Sequence, residues 1–349
     1  MKKLFLVVAY QAWRLTRAHS PTLTVLTYHR ISETEEKDDP LKISSSSFER
    51  QIRYVRENYS VVSADDLSAL IEKRKPLPPN ACLITFDDGW RDNFELAFPI
   101  LKRYQIPALI FLSTEYIGSG KVFWQIRLRE LLTRYANADR SAVDVVSAWP
   151  ASLADAVRGF HGLGERDLSA AVNGVIERFK GYSLEAIQGL LPTPDQTTAD
   201  VLSRLGAMLS WDQVGEMAAN GVSFGSHCKT HSILTQLNEA RLDDELVEPK
   251  RLLETRLQRP VDFIAYPNGD YDQRVLRVAG EAGYLAAFTC RSGVNESIDN
   301  PLEIKRINMR EDSAAGFGKA FSPFLFRVEL SGVRFLVKDL TEARGNVAR

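Results

Sequence analysis

Apolar positions along this chain follow two alternating rhythms. Short β-rich runs at 23–28, 60–63, 81–86, 108–113, 222–225, 261–266, 285–289 and 303–308 predict strands. Amphipathic stretches at 47–58, 64–72, 94–104, 211–220, 239–257 and 272–282 predict helices between them, long enough to serve as crossovers. Strand and helix in alternation predict repeated β-α units and a mainly parallel sheet or barrel. Pro249 falls inside 239–257 and predicts a kink, because proline lacks the amide proton the helical ladder uses.

The rhythm breaks at about 120–209, where helical patterns such as 124–135 and 184–191 dominate. This stretch reads as a helical insertion, broken into short pieces by Pro150, Pro192 and Pro194. Such an insertion either shapes access to a site or packs as an appendage. After Arg310 the pattern weakens, and the tail 311–349 carries Phe317, Phe321, Phe324, Phe326 and Phe335, expected to pack on the body. The segment 1–22 opens with Met1-Lys2-Lys3, runs apolar from Leu4 to Trp13, and continues with Arg14, Arg17 and His19. No small-x-small cleavage site follows, and the apolar run is too short to span a bilayer. It predicts an N-terminal amphipathic helix in peripheral contact with a membrane, in a protein that is cytoplasmic or peripheral to the inner membrane. A poor export signal is the rival reading.

Composition narrows the partners. With 349 residues and 44% hydrophobic content the chain buries a full core. Lys and Arg number 44 against 45 Asp and Glu, and the net charge of -1 supplies no field to gather nucleic acid. A neutral partner such as a glycan fits better. The three cysteines, Cys82, Cys228 and Cys290, are widely spaced and odd in number, which argues against a disulfide scaffold. Cys82 and Cys290 sit in apolar runs and are expected to be buried.

Two motifs carry chemistry. The run 83–86 ends in Asp87-Asp88-Gly89, two adjacent carboxylates at a strand end, where α/β folds build sites. Successive side chains diverge there, so one carboxylate can hold a metal while its neighbour addresses a water. Gly89 lets the backbone turn at positive φ. A solvated Asp-Asp-Gly turn is the plain alternative. Downstream, Gly225-Ser226-His227-Cys228-Lys229-Thr230-His231 places two of the five histidines four apart after a predicted strand, a spacing that sets both imidazoles on one side of a helical turn. Two His and one carboxylate leave coordination positions open, as a catalytic site requires. Cys228 is expected to face away.

Thr85-Phe86-Asp87-Asp88-Gly89 followed far downstream by Ser226-His227 and His231 resembles the polysaccharide deacetylase family, carbohydrate esterase family 4, in its exopolysaccharide-associated branch. The likeness runs from about 23 to 310, interrupted by the insertion. It implies a distorted (β/α) barrel of about seven parallel strands with a helical insertion, and a metal-dependent hydrolase that removes N-acetyl groups from an N-acetylated glycan. Carried over, Asp87 is the catalytic base and Asp88, His227 and His231 are the metal ligands, with Zn²⁺ the expected cation.

The segment 263–271 looks like the family's groove-lining motif, which implies substrate contacts from Tyr266, Pro267 and Asn268, and an oxyanion contact from a backbone amide there, that of Asn268 for example; a plain strand-ending turn is the alternative. Where the family carries an arginine that pairs with the catalytic Asp, this chain has Ala265. The family's closing histidine is also missing from Arg306-Ile307-Asn308-Met309, which points to His29, at the end of the first predicted strand, as the general acid. His29 as metal neighbour or sugar contact stays open. Trp90 and Arg91 either line the groove or pack. The two departures keep a catalytically silent glycan-binding barrel in view, and an O-acetyl esterase or small-amide hydrolase uses the same chemistry.

Overall fold

Alternate residues of the strand runs point into one interior, and filling that interior closes the sheet. The computed structural model describes residues 21–35, 39, 41–73, 75–193, 196–315 and 321–334. The N-terminal helix expected within 1–22 therefore lies almost wholly outside the described residues. The described strands are β1 (Leu23–Tyr28), β2 (Arg30–Ser32), β3 (Lys42–Ser44), β4 (Ser60–Val61), β5 (Ala81–Phe86), β6 (Ala108–Leu112), β7 (Val222–Ser226), β8 (Phe263–Ala265), β9 (Ala286–Ser292) and β10 (Ile304–Asn308). Among them, β5 to β10 pair in chain order, β10 pairs β1, and β1 returns to β5 over its full length, all parallel. That is a closed barrel of seven parallel strands: the alternation predicts the parallel pairing, and the resemblance implies the barrel and its strand number. Its irregularity sits beside β5: the two-residue β4 pairs Ala81 and Cys82, while β6 joins only at Thr85 and Phe86. The short β2–β3 pair is a separate parallel ribbon that the hydrophobic pattern did not reveal.

The strand period of two sorts side chains into the barrel or onto its helical jacket. Leu23, Val25, Ala81, Leu83, Leu109, Phe111, Phe263, Ala265, Ala286, Phe288 and Ile304 form one buried cluster, alanines beside phenylalanines. On the outer face Tyr28 and Phe86 meet Phe48 of the helix Ser45–Asn58, at ring distances of 5.0 and 5.7 Å. The helices Ala64–Ile71, Phe98–Tyr104, Trp211–Ala219, Glu239–Leu257 and Gln273–Glu281 fall between successive strands. Glu239–Leu257 runs on through Pro249 as one helix. No described helix is long and apolar enough to cross a membrane.

Residues 115–210 make up nearly all of a second compact unit. Its described elements are the helices Trp124–Ala136, Arg140–Ser147, Ala151–Val157, Glu165–Phe179, Leu184–Leu190 and Gln196–Leu205. They share a core of their own that includes Trp124, Leu128, Leu132, Trp149, Val157 and Phe179. Pro150 stands at the start of one helix and Pro192 just past the end of another, positions where its missing amide costs nothing.

In the tail, Phe326 is buried 5.3 Å from Tyr54, but Phe324 is 38% exposed, so the aromatics do not all pack inward as expected. Phe317 and Phe335 lie outside the described residues. Cys82 and Cys228 are buried, whereas Cys290 is exposed. β9 continues past Thr289, and Cys290, Arg291 and Ser292 are exposed at its end.

Candidate metal centre

Strand register brings the predicted residues to one mouth. Tyr28 pairs Phe86 across β1 and β5, so His29 and Asp87 leave the barrel side by side, and the Asp87 amide donates to the Tyr28 carbonyl at 3.0 Å. Leu112 pairs Ser226 and Ser226 pairs Ile264, which sets His227 between Ser113 and Ala265. The His227 amide donates to the Leu112 carbonyl at 2.8 Å, and the Ser113 hydroxyl donates to the His227 carbonyl at 3.0 Å. Period two continues Ala81, Leu83, Thr85 up to Asp87, which therefore points inward above a Thr27–Thr85 hydroxyl contact of 3.1 Å.

Asp88 turns the other way because its backbone is left-handed, φ 77, followed by Gly89 at φ 85. A non-glycine residue in that region costs about 1–3 kcal/mol and persists where surroundings over-determine it. Here the turn delivers Asp88 Oδ1 to 3.5 Å from His227 Nε2 and 3.3 Å from His231 Nε2. The second imidazole does not arrive by a helical turn, as its spacing suggested. Residues 227–231 form an irregular loop with left-handed backbone at Cys228 (φ 63) and His231 (φ 58). Cys228 is fully buried and outside the ligand group.

One ligand atom from each of Asp88, His227 and His231 lies within 4.8 Å of the others. Atoms about 2.0–2.2 Å from a tetrahedral cation sit roughly 3.3–3.6 Å apart, which the two Asp88 distances match. The supporting bonds suit ligation as well. His227 Nδ1 donates to the Ala265 carbonyl at 2.7 Å, which fixes the neutral tautomer with its lone pair on Nε2, toward Asp88. Burial, against the pull of Asp87 and Asp88, holds the His227 pKa down at about 4, so the ring stays neutral. Trp90 Nε1 donates to Asp88 Oδ2 at 2.8 Å. Burial pushes the Asp88 carboxyl up, but the hydrogen bond and charge of His231, then His29 and His227, bring it below the usual range. The donor set and spacing fit a divalent cation.

Beside this group, Asp87 is 2% exposed and pairs with Arg306, whose Nη1 and Nη2 donate to Oδ1 and Oδ2 at 2.7 and 2.8 Å. Burial raises Asp87, yet the Arg306 guanidinium, with His227 and His29, holds it below the ordinary carboxylate value. Arg306 Nε donates to the Thr289 carbonyl at 2.9 Å. The partner missing at Ala265 is thus supplied from β10, in the stretch where sequence reasoning sought only a histidine. Its signal was present: a charged residue two after Ile304 on a strand of period two points into the barrel. His29 Nε2 lies 3.8 Å from Asp87 Oδ2.

Other expected contacts separate. Trp90 is 3% exposed and acts as a hydrogen-bond donor to Asp88 instead of lining a groove. Arg30 stacks on its ring at 4.5 Å and donates to Asp92, while Asn93 donates to the His29 carbonyl at 2.8 Å. A single π turn, Asn93–Ala97, begins there. Tyr266 and Pro267 are buried, and the Tyr266 hydroxyl donates to the Leu302 carbonyl at 3.3 Å, so their side chains pack in the interior. Tyr266 also stacks on Tyr271 at a ring distance of 5.5 Å. Arg91 and Asn268 are exposed.

A parallel barrel with an Asp/His/His group and a second, arginine-paired aspartate at its C-terminal mouth defines a hydrolase built for one divalent cation. The sequence profile described as polysaccharide deacetylase matches residues 74–145 and 175–287, more than half of the chain, and the chain belongs to that family. Bacillus subtilis YxkH, whose name places it among the polysaccharide deacetylases, is 21% identical over 304 residues, covering 87% of this chain and 76% of its own. The poly-beta-1,6-N-acetyl-D-glucosamine N-deacetylase of Staphylococcus epidermidis is 31% identical over 107 residues, 27% of this chain and only 37% of that protein. In fold, the chain is similar to the Streptococcus pyogenes deacetylase PplD, solved in complex with acetate, with a TM-score of 0.58, 18% identity, and coverage of 89% and 99% of the two chains.

Proposed function

We propose that this protein is a metal-dependent N-deacetylase of a glycan containing N-acetylglucosamine, the sugar that the staphylococcal relative's name specifies. The observation that carries the reading is the Arg306–Asp87 pair standing beside the Asp88, His227 and His231 group: one carboxylate is offered to a cation and its neighbour is kept ionised and off it. Asp88, His227 and His231 are the residues that hold the cation, for which Zn²⁺ suits two imidazoles and a carboxylate. Bound there, it supplies Lewis acidity toward an acetamide carbonyl and acidifies water.

The chain's own residues do the proton work. Asp87, kept unprotonated by Arg306, takes a proton from the attacking water as the new C–O bond forms. His29 reaches the same space from the adjoining strand end and gives a proton to the sugar nitrogen as the C–N bond breaks, leaving acetate and a free amine. Arg91 and Asn268 are the residues assigned to meet a sugar chain, a role their exposure supports. Turnover is favoured over silent binding because both groups whose absence suggested silence have counterparts here, Arg306 and His29.

Incubation with oligomers of β-1,6-linked and β-1,4-linked N-acetylglucosamine, with and without chelator, tests this by released acetate. Chelator-sensitive release that Asp87→Asn abolishes is the expected result. No release from either oligomer, or full activity in the variant, would overturn it.

A further inference from the structure

The loop that carries the two imidazoles is held from behind by one side chain. Glu245, on the helix Glu239–Leu257, is 1% exposed. Its Oε2 accepts from the backbone amides of Lys229 at 2.9 Å and Thr230 at 2.8 Å, and its Oε1 accepts from the Thr230 hydroxyl at 2.5 Å. The Thr230 hydroxyl lies 2.7 Å from that of Ser232, just beyond His231. One helical turn along, Glu248 accepts from Lys229 Nζ at 2.6 Å.

This is a costly residue for its position. Leu242, Leu246, Pro249 and Leu253 form the buried stripe of the same helix, and Glu245 falls within that stripe. A carboxylate there is tolerated only with its lone pairs fully engaged, and a leucine would pack with no such demand. What the carboxylate secures is the conformation of 228–231. Two residues of that loop are left-handed, and neither a strand ladder nor a helix holds the amides of Lys229 and Thr230. Charge-assisted acceptance of two adjacent amides fixes the peptide planes that turn His231 onto Asp88.

We propose that Glu245 is a positioning residue for the cation site, presetting the His227–His231 loop so that the second imidazole meets the cation without reorganisation. It touches no ligand atom and acts through the backbone. The proposal rests on the cation-site reading above. It differs from a purely structural role in what it moves: a structural carboxylate changes the stability of the metal-free fold, whereas a positioning one changes the affinity and geometry of the bound ion.

The test uses metal-stripped full-length protein, Co²⁺ as the probe, competition with a chromophoric chelator for affinity, and the visible absorption of bound Co²⁺ for geometry. Glu245→Ala is expected to weaken Co²⁺ binding by about ten- to a hundredfold and to alter the spectrum. Glu245→Gln keeps an oxygen for the two amides and turns its NH₂ to the Thr230 hydroxyl oxygen, so it weakens binding by a smaller but measurable factor. His231→Ala is the control that loses the ion. Wild-type affinity and spectrum in Glu245→Ala overturn the proposal, and if that variant does not fold, wild-type behaviour of Glu245→Gln does so. Failure of the wild type itself to take up one Co²⁺ overturns the site reading instead.

Discussion

Arg306 and Asp87, 219 positions apart in sequence, meet fork to fork inside the barrel, with side chains 2% and 3% exposed. Breaking a buried pair from one side leaves the other charge unpaired, which costs about 3–5 kcal/mol. Arg306→Met is expected to lower the unfolding free energy by that order in urea titration and to cut acetate release at least tenfold. Arg306→Lys keeps the charge but loses the second hydrogen bond and the Thr289 contact, and should fall between. A Met variant as stable and active as wild type would remove Arg306 from the site.

His29 is separable from the cation. It stands 3.8 Å from Asp87 and outside the three-residue ligand group. His29→Gln is therefore expected to reduce kcat by about 10²- to 10⁴-fold, the usual range for a lost general acid, with Co²⁺ affinity unchanged. Equal losses in turnover and cation affinity would make it a ligand-shell residue instead.

The metal-free protein should lose stability in mild acid. His227 titrates at about 4 in the fold and near 6.5 when unfolded, so between these values the unfolded chain binds more protons and stability falls as pH falls. The full loss is about 3 kcal/mol, complete near pH 4. Asp87 and Asp88, both lowered, add a further loss below the ordinary carboxylate range. Urea midpoints of stripped protein from pH 7 to 4.5 measure it. His227→Asn should flatten the curve, and a flat wild-type curve would contradict the assigned burial of a neutral imidazole.

Gly225 is the space beneath His227. A Cβ there would meet Phe111 ring atoms at 2.7 Å and the Phe263 carbonyl at 2.8 Å. Overpacking of this kind costs about 1–3 kcal/mol, and the strain falls on the strand that aims His227. Gly225→Ala is expected to lower the thermal midpoint and to weaken Co²⁺ binding together. An unchanged midpoint would mean that Phe111 yields without cost.

Much of the barrel was legible because its determinants are local. The runs 23–28 and 81–86 are β1 and β5 to the residue, since each is a strongly apolar stretch ended by a turn. Where the determinants are not local the boundaries moved: 60–63 keeps only Ser60–Val61 as strand, because only Ala81 and Cys82 offer it a partner. The pair β2–β3 was invisible, being three residues a side with no pattern to read. The surroundings of Tyr266 and Trp90 were not legible for one reason: an aromatic with a polar tip reads alike whether that tip faces a ligand, a carboxylate or a carbonyl.

The sequence by itself determined the alternation that makes a parallel barrel, and it supplied an Asp pair and a His pair at strand ends, because strand period and strand termination are written in consecutive residues. Only the tertiary structure decided which groups work on one another. Barrel closure, through β1 on both β5 and β10, sets Arg306 against Asp87 and His29 beside it, and helix packing sets Glu245 under the histidine loop. Those pairings depend on register and side-chain reach across elements remote in sequence.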